Sequence, residues 1–115
     1  MSGIPHEMPK RLRRALREAA MEAHEEELRR ALLPLAAAFE KWRAGELSSG
    51  ELTERIHEFH DGPARELFKR YNYGALDLAV AHAIVSCVLD RSRLPQELLA
   101  ALQPAIAFYE QQGGP

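Results

Sequence analysis

The segment Glu54-Arg-Ile-His57-Glu-Phe-His60-Asp61 concentrates the side chains best suited to chemistry. Residues three and four apart are neighbours on a helix, so Glu54, His57, His60 and Asp61 converge along one flank while Ile56 and Phe59 turn toward a core. Imidazole with carboxylate suits zinc, iron or manganese. One expectation is therefore a single divalent metal on His57, His60, Asp61 and Glu54, completed by His24, Glu27 or His82. Glu54 and His57 also form half of the paired Glu-x-x-His pattern of carboxylate-bridged di-iron bundles. The second half is missing, because Met21 precedes His24 and Ala79 precedes His82 at that spacing, and this excludes the di-iron reading. The plainer expectation is a solvated flank, with Asp61 capping a helix that starts after Gly62-Pro63.

His57 and His60 could also serve as acid-base groups, since imidazole changes charge near neutral pH. Their companions are absent: the chain has no Gly-x-Ser-x-Gly elbow, no phosphate-cradling glycine loop and no His-Glu-x-x-His. The single cysteine, Cys87, lies in the apolar stretch Ile84-Val-Ser-Cys-Val-Leu89 and reads as a small buried hydrophobe without a redox role. His82 reads as a hydrogen-bonded core histidine. No catalytic residue is assigned, and a non-enzymatic protein is expected.

Charge supplies two further candidate surfaces. Lys10, Arg11, Arg13, Arg14 and Arg17 form a basic block, and Glu18, Glu22, Glu25, Glu26 and Glu27 follow it on the same helix. The block could neutralise phosphates on a nucleic acid, but the glutamates would repel that backbone. Segregated ends suit antiparallel pairing with a second copy, giving a homodimer, or docking on an acidic protein partner. The macrodipole supports such a partner, since positive charge crowds the N-terminal turns where negative charge is favoured. The other surface gathers Arg65, Lys69, Arg70, Tyr71 and Tyr73 at a helix end, and Arg and Tyr are favoured at interface hot spots. For the tyrosines, packing across a bundle is the competing expectation.

The elements that must position these groups follow from spacing. Pro9 suits a helix start. Leu12, Leu16, Ala19 and Ala23 form a thin stripe, and Leu28, Leu32, Leu35, Phe39 and Trp42 resume it after a change of phase. Pro34 predicts a kink, or two helices meeting there. A straight helix over residues 10–44 would span roughly 50 Å, against a diameter of roughly 35 Å for a globule of this length. Either Pro34 folds it back or residues 9–27 project as an arm. Ser48 and Glu51 form a capping box flanked by the staple Leu47 and Leu52, predicting a helix from Ser49 to about His60. Gly62-Pro63 ends it and opens a short helix to about Tyr71. Ala75 to Leu89 is apolar nearly all round and reads as the central helix. Asp90 to Arg93 is a polar turn, and Pro95 opens a last helix with Leu98, Leu102, Ala105, Ile106 and Tyr109 on one face.

Composition agrees with this layout. Ala, Leu, Glu and Arg supply 60 of 115 residues, and Val, Ile and Thr together only eight, which is a helical balance. The expectation is one all-α domain over residues 9–112, a bundle of four to five helices with a long N-terminal helix, preceded by a tail over 1–8. The N-terminus lacks the apolar core of a secretory signal and the longest apolar run, Ala31 to Phe39, is too short to span a membrane, so a cytoplasmic protein is expected. A net charge of −2 argues against a dedicated nucleic-acid binder. A small interaction or regulatory protein, acting through self-association or docking on a larger protein and needing no cofactor, is the leading expectation. A metal-binding module or metal-dependent enzyme, and nucleic-acid binding through Lys10 to Arg17, are the alternatives.

Overall fold

In the structure, a computed structural model that describes residues 8–113, every regular element among the described residues is helical. Helix α1 spans Lys10–Arg43, α2 Ser49–Phe59, α3 Arg65–Asn72, α4 Leu76–Val85 and α5 Gln96–Gln112. The all-α bundle expected from composition is thus present. The tail expected over 1–8 lies outside the described residues except for Met8, which is buried with the main core.

That core is centred on α4, whose Leu76, Ala79, Val80, Ala81, Ala83 and Ile84 are all buried. Leu98, Leu102 and Ile106 of α5 close one side, and Leu67 and Tyr71 of α3 another. α4 stops at Val85, four residues short of the expected Leu89. Cys87 takes a left-handed conformation at φ 62°, its N–H donates to the Ile84 carbonyl (3.2 Å) and the Val88 N–H reaches the Ala83 carbonyl (2.8 Å). This is a Schellman termination with cysteine where glycine would be unstrained. The thiol is exposed, which corrects its reading as a buried hydrophobe. The carbonyl of Cys87 accepts from Arg30 Nη2 at 3.2 Å.

Helix α1 runs through Pro34 without interruption, so the chain neither folds back nor splits there. Its 34 residues give about 51 Å at 1.5 Å per residue, nearly the full 54 Å length of the molecule. The half that leaves the core is the reverse of the one expected. Leu16, Ala19, Ala20 and Ala23, within the 9–27 segment expected to project, are buried in the main core, whereas Ala38 is the only buried residue of α1 beyond them. The physical reason is size: alanines on α1 and on α4 let two backbones approach closely, so a stripe that looks thin in sequence packs well.

Residues beyond about Leu28 pair with α2 as a two-helix hairpin, with a separate small core of Ala38, Leu47 and Leu52. Gly45 turns the chain at φ 79°, where a side chain would be strained. The capping box forms as expected: Glu51 N–H donates to Ser48 Oγ (3.0 Å) and Ser48 N–H to Glu51 Oε1 (2.9 Å). Gly62-Pro63 does not end the helix. A π-helical turn over His60–Ala64 carries α2 directly into α3, and such a turn accommodates a proline that lacks a donor. Asp61 lies inside this turn and caps nothing.

Candidate docking surface

Glu54, His57, His60 and Asp61 are all exposed on the outer flank of α2 and the π turn. His60 Nδ1 lies 3.4 Å from Asp61 Oδ1, but among the described residues no three His, Cys, Asp or Glu side chains converge on a point that a metal could occupy. The proposed distant ligands are dispersed. His24 stacks on Tyr71, ring centroids 5.1 Å apart. His82 packs edge-on against Tyr109 at 5.2 Å and is exposed, not the core histidine expected. Glu27 is engaged by α3.

One arginine of the basic block reaches across to the body. Arg11 Nη2 donates to Glu97 Oε2 of α5 at 2.6 Å, Arg14 pairs with Glu18 at 3.4 Å, Arg13 is half-buried and Arg17 is exposed. The macrodipole argument called for an acidic partner, and for Arg11 the chain itself supplies it. Further along, Glu26 accepts from both Arg29 (2.8 Å) and Arg30 (2.7 Å), and these bonds hold its carboxyl down at about 2.

The Arg65 to Tyr73 surface divides. Tyr71 is turned inward and its Oη donates to Glu27, while Arg70 Nη1 binds both Glu27 oxygens at 3.1 and 3.2 Å. Burial, then the Glu27 bond, pushes the Tyr71 phenol up. These two residues tie α3 to α1 and leave Arg65, Lys69 and Tyr73 as the exposed remainder. Tyr73 meets Phe68 edge-on at 5.7 Å.

A further exposed apolar face lies on the hairpin. Leu32, Phe39 and Trp42 of α1 and Ile56 of α2 are 42%, 39%, 41% and 39% exposed, although their spacing read as a core stripe. Trp42 Nε1 donates to Ser49 Oγ at 3.0 Å, which pins the indole across the mouth of the hairpin. Phe39 stands edge-on to it at 6.5 Å. Ile56, seven residues on from Ser49, falls on the same side of α2. Pro34 and Leu35 of α1 and Arg55, Glu58, Phe59 and Pro63 line a groove between the two arms.

Unmatched charge surrounds this face. Among the described residues Glu46, Glu54, Glu58 and Arg55, and Lys41 of α1, make no ion pair, and Arg43 reaches Glu40 only at 3.8 Å. The stretch of α1 beyond Leu28 carries Arg29, Arg30, Lys41 and Arg43 against Glu40, whereas the connection and α2 carry Glu46, Glu51, Glu54 and Glu58 against Arg55. Arg29 and Arg30 already share Glu26, so the outer stretch of α1 keeps one net positive charge from Lys41 and Arg43 against Glu40, opposite in sign to the acidic connection and α2. Comparisons with known protein families, with curated proteins and with solved structures find no match to this chain.

Proposed function

We propose that this chain is a non-enzymatic interaction module that docks on a protein through the apolar face of the α1–α2 hairpin. The observation that carries the reading is the mismatch within the hairpin: three modest residues, Ala38, Leu47 and Leu52, form its buried core, while Leu32, Phe39, Trp42 and Ile56 stay at the surface. Contiguous apolar surface of this kind marks interaction sites, and a tryptophan with an aromatic neighbour is the anchor such interfaces use. An amphipathic helical face docks on helices or in a helical groove. No described helix is long and apolar enough to cross a membrane, and the cytoplasm is the proposed place of action. Photocrosslinking tests the reading directly. A benzophenone amino acid placed at Trp42 is expected to yield a covalent protein adduct in host cells, and one placed at Gln103 of α5 is not. Equal labelling from both positions, or none from Trp42, rejects it.

A further inference from the structure

We infer that the occupant of this face is a second copy of the same chain, whose hairpin completes an antiparallel four-helix bundle. The inference rests on the docking reading above and adds the identity of the partner.

Three observations carry it. The outer stretch of α1 and α2 bear opposite charge, and among the described residues Glu46 of the connection and Glu54 and Glu58 of α2 form no ion pair within their own chain, with Arg55 the one cation among them. A partner must then offer both a basic and an acidic helix side by side, and the same hairpin is such a partner. Orientation follows from the same charges. A two-fold axis running along the hairpin lays each basic α1 arm over the partner's acidic α2 and keeps like-charged helices on the diagonal, whereas an axis across the hairpin stacks basic on basic. The patch is also self-complementary in the sense a two-fold interface needs, with Leu32, Phe39 and Trp42 of one arm meeting Ile56 of the other. Finally, two helices over so small a core are half of a bundle whose stable form has four, and a net charge of −2 per chain sets up little repulsion between copies.

The test is sedimentation of the full chain up to about 200 μM, at ionic strengths of about 0.05 M and 0.5 M, between which screening shortens from well over 10 Å to a few Å. A dimer is expected, weakening roughly tenfold at the higher salt. Phe39→Glu should give a monomer with unchanged far-UV circular dichroism. Should that variant lose helicity, Ile56→Lys on the facing helix provides the same reading. The charge pattern has its own test: Lys41→Glu with Arg43→Glu, and separately Glu54→Lys with Glu58→Lys, should each weaken self-association, and mixing the two variants should restore a heterodimer. A dimer that survives both apolar variants, or that tightens with salt, overturns the inference. A monomeric chain whose Trp42 crosslinks to a different protein overturns it while leaving the docking reading intact. A monomer that crosslinks to nothing removes both.

Discussion

The phenol of Tyr71 donates to the carboxylate of Glu27, and the neighbouring Arg70 grips the same carboxylate. Glu27 retains only 17% of its side-chain exposure, so the bond joins α3 to α1 in a site that water reaches poorly. Tyr71→Phe leaves the carboxylate with Arg70 alone and should lower stability by about 1.5–3 kcal/mol, the range for a hydrogen bond to a charged acceptor. Thermal unfolding of the two proteins checks the value.

Alkaline pH acts on the same bond. A tyrosine in the unfolded chain ionises near pH 10, whereas burial and the Glu27 anion hold the folded phenol protonated to higher pH. The folded state then binds more protons than the unfolded state above about pH 10, and stability falls as pH rises through that region. Denaturant midpoints measured on either side of pH 10 should show the decline, and Tyr71→Phe should flatten it.

Glu26 works in the opposite direction. Hydrogen bonds from Arg29, then Arg30, set its folded pKa at about 2, below the ordinary 4.5. Its contribution is present above about pH 4.5 and is lost as pH falls toward 2. NMR titration of the Glu26 side chain should place its midpoint well below that of a free glutamate, and Glu26→Gln should make the acid limb of unfolding shallower.

Cys87 occupies a left-handed position that glycine fills without strain. Cys87→Gly should stabilise the protein by about 1 kcal/mol, the left-handed penalty less the entropy glycine adds to the unfolded chain. A rise in the denaturation midpoint with an unchanged slope is the expected result, and a fall would mean that the thiol packs in a way its exposure does not suggest.

Ser48→Ala removes one half of the capping box. The loss should be about 1 kcal/mol, and because α2 packs chiefly on the α1 arm, it should emerge first as faster amide exchange in α2 rather than in α4 or α5.

Much of this fold is written in local patterns. The capping box at Ser48 and Glu51, with Leu47 and Leu52 buried on either side of it, is a short-range signal and was legible as such. So were the inward face of α5 and the burial of α4. The Asp90 turn reads equally well, its carboxylate held low by the Ser92 hydroxyl and N–H. What escaped depends on relations between segments. Gly62-Pro63 looks like a stop, and only the wider winding of a π turn carries the helix across it. Ala19, Ala20 and Ala23 look like a weak seam because side-chain size says nothing about how closely a second alanine-rich helix will approach. For the same reason spacing points to the wrong half of α1 as the projecting arm and to the stripe at Leu32, Phe39 and Trp42 as core. Glu54 and His57 fall on α2 while His60 and Asp61 fall in the π turn, and spacing along one segment says nothing about whether a further ligand approaches from elsewhere.

One helix serves both the body and the hairpin, and this gives the molecule the mechanics of a braced arm. The rod is buried between Leu16 and Ala23, is tied to the body again by the bonds of Glu27 to Tyr71 and Arg70 and of Arg30 to the Cys87 carbonyl, and past these buries only Ala38. Between those points lies Pro34, which cannot donate to the Arg30 carbonyl, so one rung of the helical ladder is absent. A load on the hairpin is therefore shared between two connections to the body, the α1 rod past Pro34 and the π turn that runs from α2 into α3.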